Sequence, residues 1–354
     1  MIYINDKADL YSMTLSELSD FLKSIGEPAF RAKQISAWLA LGTPISEMSN
    51  LSKSLREKLT DMTVDTLPKV KERLVSKIDG TVKYLFSLYD GSSIESVFMR
   101  YKHGNTICIS SQVGCFMGCK FCASTLGGKI RNLLPSEMLG QIIAAQKDTG
   151  ERISNVVMMG IGEPLDNYDN VLRFLELVNR EDGLNIGYRH ISLSTCGIVP
   201  KIKELATVEL PITLSISLHA STDEKRSEIM PVNKKWNISE LLSACVYYYK
   251  HTGRRISFEY TLISGKNDST EDAKSLAKLL ISAFKGSGAP LHVNLIRVNP
   301  VTETGFSEGS AESANLFAKT LTDMGVVATV RRRLGADVNA ACGQLRRNRE
   351  QGEK

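Results

Sequence analysis

The chain has no apolar run approaching the ~18 residues that a membrane-spanning helix needs, so no membrane partner is expected. Its first residues, Met1-Ile2-Tyr3-Ile4-Asn5-Asp6-Lys7, have neither a basic stretch nor an apolar stretch of the export type, and a cytoplasmic location is expected. Seven cysteines are an odd number. Without an export signal they read as reduced thiols, not as a disulfide framework. Histidine is scarce, with five in the chain. None has the spacing of a zinc pair, and no second C-x2-C exists, so a zinc ribbon lacks half of its ligands. There is no internal repeat and no low-complexity tract. Acidic residues are absent from 100–132, a stretch that holds Arg100, Lys102, Lys120, Lys129 and Arg131.

What is present fits a soluble globular protein of 354 residues, 42% hydrophobic, with a net charge of only +5. That length accommodates one large α/β domain plus a smaller one. A second basic stretch, 331–354, carries seven basic and three acidic residues. Either stretch alone is ordinary solvated surface. Together they point to a phosphate-rich partner, because charge neutralisation supplies most nucleic-acid affinity. A positive field would also favour thiolates.

The first 62 residues read as a helical unit. Thr14-Leu15-Ser16-Glu17 fits a capping box, Leu18, Phe21, Leu22 and Ile25 follow at helical spacing, and Gly26 is a stop. The pattern repeats over 30–39 and 51–59. With Arg31, Lys33 and Lys53 on it, the unit is either an RNA-contacting module or a packing domain. Residues 63–104 alternate like strands, with turns at Asp79-Gly80 and Asp90-Gly91. Glu95 lies mid-strand there, and its pattern alone reads as an exposed strand carboxylate.

From Thr106 short β-like runs (106–110, 155–159, 190–194, 212–218, 256–263, 292–298) alternate with helical stretches such as 136–146, where Ser136 is the expected N-cap. That rhythm implies a parallel sheet. The expected fold is α/β, an open partial (β/α)6 barrel over 105–345 in preference to a flat doubly wound sheet, with a basic tail at 346–354. Both architectures put the site at the C-terminal ends of the strands.

Cys115, Cys119 and Cys122 form a C-x3-C-x2-C triplet on the loop after the first of these strands. Three thiols so close point to one metal centre. A four-iron cluster held by three cysteines leaves one iron open, whereas a structural site is usually closed by four ligands. Gly160-Ile161-Gly162-Glu163-Pro164 ends the second strand, Ser194 the third and Ser217-Leu218-His219 the fourth. Asn294 lies in the sixth. The glycines let backbone approach a ligand, and Glu163 can be held toward an ammonium group. These residues are expected to line one rim.

The triplet, with Phe121 before its last cysteine, resembles the radical S-adenosylmethionine superfamily. The chain is more closely similar to the RlmN/Cfr family of RNA methyltransferases, in Ser110-Ser111-Gln112-Val113-Gly114-Cys115, Met158-Met159-Gly160-Ile161-Gly162-Glu163-Pro164-Leu165, Ser194-Thr195-Cys196-Gly197-Ile198-Val199-Pro200, Ser217-Leu218-His219-Ala220 and Asn339-Ala340-Ala341-Cys342-Gly343-Gln344-Leu345. The resemblance implies that Cys115, Cys119 and Cys122 ligate a [4Fe-4S] cluster. It implies that Gly162, Glu163, Ser194, Ser217, Leu218, His219 and Asn294 hold S-adenosylmethionine, two molecules being used per turnover. It makes Cys342 the methyl-accepting cysteine, Cys108 the second redox-active cysteine and Glu95 the acid/base. A 5′-deoxyadenosyl radical then activates the S-methyl group of Cys342. Cys196 and Cys245 match no such role and read as small apolar fillers. Pro164 and Val113 favour the C2-methylating branch, acting on adenine 2503 of 23S rRNA and adenine 37 of some tRNAs, over the C8-methylating Cfr-type branch. A non-catalytic iron-sulfur or zinc RNA-binding protein is the alternative of another class. The remaining expectations are a flavodoxin-type one-electron reductant and a monomer.

Overall fold

The computed structural model describes residues 1–298, 305–338, 345, 346 and 349. A two-stranded ribbon, β1 (Tyr3–Ile4) and β2 (Lys7–Ala8), precedes helices α1 (Leu15–Ser24), α2 (Arg31–Ala40) and α3 (Lys53–Met62). The Thr14 hydroxyl accepts the Glu17 N–H at 3.2 Å and the Glu17 carboxylate accepts the Thr14 N–H at 2.8 Å, which is the expected capping box. Leu18, Phe21 and Leu22 form one buried stripe and meet Ile35, Leu55 and Leu59 in a core of their own. Buried Asp9 links this unit to the rest. Its carboxylate accepts from Ser12 (2.5 Å), Thr66 (3.0 Å) and Ser136 (2.7 Å).

Strands β3 (Lys69–Val75), β4 (Val82–Ser87) and β5 (Ser93–Met99) form an antiparallel meander, turned at Gly80 (φ +72°) and Gly91 (φ +84°). β6 (Thr106–Cys108) pairs antiparallel with β5 and parallel with the strand that follows the first crossover. Between them lie the hairpin β7 (Gln112–Gly114) and β8 (Lys129–Asn132) and helix α4 (Pro135–Thr149). The chain then alternates β9 (Asn155–Met158), α5 (Tyr168–Asn179), β10 (Ile191–Thr195), α6 (Val199–Thr207), β11 (Thr213–Ser217), α7 (Asp223–Ile229), α8 (Ile238–Thr252), β12 (Ile256–Leu262), α9 (Thr270–Ala283), β13 (His292–Arg297), α10 (Ala311–Asp323) and β14 (Val327–Val330).

The ten-stranded sheet has the order β14-β13-β12-β11-β10-β9-β6-β5-β4-β3. Each parallel strand lies beside its predecessor, with no reversal of order. A doubly wound sheet requires a reversal, so the expected partial barrel is the architecture. The parallel run has seven strands where the sequence implied six. The additional one, β14, follows Gly325 as a four-residue edge strand with Val327 exposed, too short and too weakly alternating to be read as a strand. Helix α4 starts one residue earlier than expected. Pro135 takes the first helical position, where its missing N–H costs nothing, and Ser136 turns its hydroxyl to Asp9 instead of capping.

The basic stretch 100–132 is mostly neutralised by acids from elsewhere. Arg100 pairs with Glu151 (2.5 Å), Lys129 with Asp166 (2.6 Å) and Arg131 with Asp90 and Glu137 (both 2.7 Å). Lys102 and Lys120 remain exposed. None of the helices is long and apolar enough to cross a membrane, among the described residues.

Candidate active site

The cysteine loop is pinched off by the β7–β8 ladder. The Cys115 N–H donates to Gly128 O at 3.0 Å, and a Cβ on Gly114 (φ +80°) would lie 1.8 Å from that oxygen, so only glycine fits there. Inside the loop the Cys122 N–H donates to Cys119 O (3.0 Å), and the Thr125 hydroxyl reaches the carbonyls of Cys119 and Cys122 (3.2 and 2.9 Å). The Lys120 N–H donates to Ile229 O (2.9 Å), which ties the loop to the end of α7. Phe121 packs edge-on against His219, with centroids 4.8 Å apart.

Burial pushes the Cys115 thiol up to about 12, and the neighbouring Cys122 adds to this. Burial raises Cys119 further, again with Cys122 and Cys115 adding. Cys115 and Cys119 therefore share one electrostatic neighbourhood in which neither ionises easily alone. A strong Lewis acid that takes thiolates is what such a set would bind. Among the described residues no set of His, Cys, Asp or Glu side chains is drawn together as ligands of a single ion. The donor set, three thiols on one loop, has the soft-ligand chemistry of an iron-sulfur cluster.

Beside the loop lies the turn after β9. A Cβ on Gly160 would come within 2.6 Å of Ile109 O, and one on Gly162 (φ +110°) within 2.6 Å of the Gln112 side chain. The G-x-G spacing thus lets the turn press against the strand that leads to the cysteines, where Ser111 and Gln112 N–H groups both donate to Ile161 O. Gly162→Ala is expected to cost several kcal/mol, with strain at a special φ added to overpacking, and to lower Tm accordingly. A variant that melts with the native protein would refute that account of the turn.

Glu163 is buried, and its two oxygens accept the N–H groups of Leu165 (3.0 Å) and Cys196 (2.7 Å). Burial raises its pKa, opposed by those backbone donors. The side chains of Thr195 and Cys196 also bond to its carboxylate. Cys196 packs in the main core as a filler does, and its backbone N–H joins the end of β10 to Glu163. Cys245 is fully buried in the main core, as a filler should be. Ser194 and Ser217 are half-buried at the ends of β10 and β11.

His219 has φ +56°. Its Nδ1 accepts the Thr261 N–H at 2.9 Å, which leaves the proton on Nε2. Burial, helped by Arg226, lowers its pKa from 6.5 to about 3. The unfolded chain protonates below 6.5 and the folded chain does not, so this contribution to stability is full above pH 6.5 and is lost as pH falls toward 3. Urea titrations should show a shallower acid loss for His219→Asn, which tolerates the same backbone. Equal slopes would refute the assignment.

Asn294 departs from the expected rim. It is mid-strand in β13, and its amide donates to the buried Glu259 carboxylate at 2.7 Å. Both line a cavity of about 490 Å³ in the barrel, with Val157, Met159, Ser215 and Arg331.

Cys108 and Glu95 lie on one face of the sheet. Val97 of β5 pairs with Cys108 of β6, and Glu95, two residues from Val97, shares its face. Cys108 packs with Val97 and Met99 against Val157, Met159 and Leu334. Glu95 is not the exposed strand carboxylate that its pattern suggested. It is 2% exposed and 3.1 Å from the Nζ of fully buried Lys83. It also accepts the Arg346 N–H at 2.6 Å. Cys342 lies outside the described residues.

This arrangement can be set beside known proteins. The chain is 55% identical to a probable dual-specificity RNA methyltransferase RlmN of Alkaliphilus oremlandii, over 97% of this chain and 98% of that one. It is equally similar to a protein of the same description from Clostridium perfringens, over 96% and 97%. The chain belongs to the RlmN family of radical S-adenosylmethionine enzymes. The family model "Radical SAM superfamily" matches residues 109–277, and "Ribosomal RNA large subunit methyltransferase N-terminal domain" matches 8–64. The crystal structure of a radical SAM methyltransferase from Sphaerobacter thermophilus superposes with a TM-score of 0.89 at 41% identity, covering 95% of this chain and 98% of that one. Family membership implies a [4Fe-4S] cluster and S-adenosylmethionine.

Sequence reasoning missed two site residues. Lys83 is a lone charge in the apolar strand Val82-Lys83-Tyr84-Leu85-Phe86. It pairs with Val97 and so meets Glu95 on the diagonal. A cation inside an apolar strand facing a strand with one carboxylate was the available signal. Arg226 looks like one member of the charged surface run Asp223-Glu224-Lys225-Arg226, yet it is fully buried. No sequence signal separates it from its exposed neighbours.

Proposed function

We propose that the protein methylates C2 of adenine in 23S rRNA and in certain tRNAs, at adenines 2503 and 37. Cys115, Cys119 and Cys122 would hold the cluster, and Gly162, Glu163, Ser194 and the Ser217-Leu218-His219 run would hold S-adenosylmethionine. Asn294, committed to Glu259, is left out of that set. When bound, the cluster and S-adenosylmethionine supply the hydrogen-abstracting chemistry.

The chain's own groups do the rest. Adenine C2 is an electron-poor carbon that cannot take a methyl cation, whereas the Cys342 thiolate can. Once a hydrogen atom is removed from that S-methyl group, its carbon bonds to C2 and joins protein to RNA. Glu95 takes the C2 proton, and the one electron left unpaired by the addition would be given back to the one-electron couple that the bound cluster supplies. The Cys108 thiolate then attacks the Cys342 sulfur. A Cys108–Cys342 disulfide forms, the S–CH2 bond breaks, and the released carbon takes up a proton to become the methyl group.

The observation that carries this reading is Glu95. Buried on the face of the sheet that carries Cys108, it also accepts the backbone N–H of Arg346, four residues after Cys342 in sequence. The helical unit 1–62 with its exposed Lys33 and Lys53 is read as the RNA-contacting part, 63–104 as a linker and 346–354 as a basic tail. The reductant is a flavodoxin-type donor, and the enzyme is a cytoplasmic monomer. The test is nucleoside mass spectrometry of rRNA and tRNA after reaction with the anaerobically reconstituted, reduced protein. Expected is 2-methyladenosine, with one methyl on the Cys342 peptide before RNA is added. 8-Methyladenosine would overturn the regiochemistry, and absence of S-adenosylmethionine cleavage the enzymatic reading.

A further inference from the structure

Arg226 is the largest fully buried side chain described. All four of its hydrogen bonds go to neutral oxygens: Leu218 O (3.1 Å), Ser217 O (3.1 Å), Cys196 O (2.7 Å) and Asn233 Oδ1 (3.0 Å). These engage four of its five N–H groups but do not offset its charge. Among the described carboxylates none is ion-paired with it, and a buried cation without a counter-charge is costly. A guanidinium does not escape by losing its proton.

The position of Arg226 shows where a counter-charge belongs. It gathers the C-terminal ends of β10 and β11, beneath the rim. Three residues on, the carbonyl of Ile229 takes the N–H of Lys120, which lies between Cys119 and Cys122.

We propose that Arg226 is the internal counter-charge of the iron-sulfur cluster and holds its reduction potential within reach of the one-electron donor. The inference rests on the cysteine triplet binding that cluster. A cluster on three thiolates is anionic, and gains a further negative charge when it accepts an electron. A fixed buried cation stabilises the reduced form more than the oxidised form, and net local charge is one of the levers on such potentials. Arg226 touches no reacting atom, so it is a positioning residue and acts through its field.

Arg226→Gln and Arg226→Lys separate field from scaffold. Both lose the fork of donors, but only Gln loses the charge. The readout is iron content, followed by a redox titration of the reconstituted cluster monitored by electron paramagnetic resonance. Arg226→Gln should have a more negative midpoint. At a fixed ambient potential its ratio of reduced to oxidised cluster should fall at least tenfold, which is 59 mV for one electron. Arg226→Lys should stay near the native value. If both variants titrate as the native protein does, or shift equally, Arg226 is scaffold only and the proposal fails. If Arg226→Gln does not fold, Asn233→Asp places a carboxylate 3.0 Å from the guanidinium and should move the midpoint in the same direction; an unchanged midpoint there overturns the proposal. A native protein that takes up no iron fails differently: it overturns the cluster assignment itself, and the role of Arg226 with it.

Discussion

A Cys108→Ala variant is expected to stop with RNA covalently attached. The adduct between Cys342 and the base can form without Cys108, but its release needs a second thiol. Cys108 is 4% exposed on β6, its neighbours Val97, Met99, Val157 and Met159 are apolar, and the lost atom is one sulfur. The fold should therefore survive. Multiple-turnover methylation should drop by about 10³-fold or more, the scale on which loss of a nucleophile acts. A labelled RNA should appear as a slowly migrating protein-bound band on a denaturing gel. Cys245→Ala, which removes a buried sulfur from the main core, should give no such band. Normal turnover by Cys108→Ala would remove the resolving step from the scheme.

The second large effect is expected at Lys83. Lys83 and Glu95 are 0% and 2% exposed and 3.1 Å apart. Removing one member of such a buried pair costs about 3–5 kcal/mol. Lys83→Met should lower stability on that scale, read as a fall in the urea midpoint at unchanged slope. Loss of the ammonium should also unseat the Glu95 carboxylate from its place as the base, which costs a further ~10²–10⁴-fold in turnover. Lys83→Met combined with Glu95→Gln should regain much of the stability but none of the activity. If the double variant is no more stable than the single one, the two groups are not coupled.

Much of this site was legible in the sequence because its residues sit where local rules act. The capping box at Thr14 follows from spacing alone. So do the strand ends at Ser194 and Ser217, since strands followed by crossover helices put their C-terminal ends on one side. The cysteine loop needed only its triplet. What escaped reading depends on register and on distant partners. Lys83 meets Glu95 only because Val97 is its partner across the meander. Glu95 therefore reads as exposed until that pairing is known. Asn294 lies in the expected strand but faces Glu259, and facing is set by the strand's position in the barrel. The basic stretch around the cysteines looked like a phosphate-binding surface, yet Arg131 and Lys129 spend their charge on Glu137, Asp90 and Asp166. Acids supplied from elsewhere in the fold cannot be seen in a local window.

The C-terminal residues after β14 have a consequence beyond the chemistry assigned to their neighbour Cys342. The Gly335 N–H donates to Asp79 (2.8 Å), the Lys77 N–H to Asp337 (2.8 Å), Arg346 to Glu95 (2.6 Å), and Arg349 pairs with Glu72 (2.6 Å). The chain thus leaves the sheet at one edge strand and fastens itself to the meander at the opposite edge. A sheet of ten strands that does not close on itself has a seam, and these contacts stitch it. Arg346 and Arg349, from what reads in sequence as a basic appendage, take part in that stitching. Truncation after β14 would unseal the barrel as well as delete a cysteine, so a truncated protein would be a poor control for the loss of Cys342. A point substitution there, with the stitching intact, is the variant that isolates the thiol.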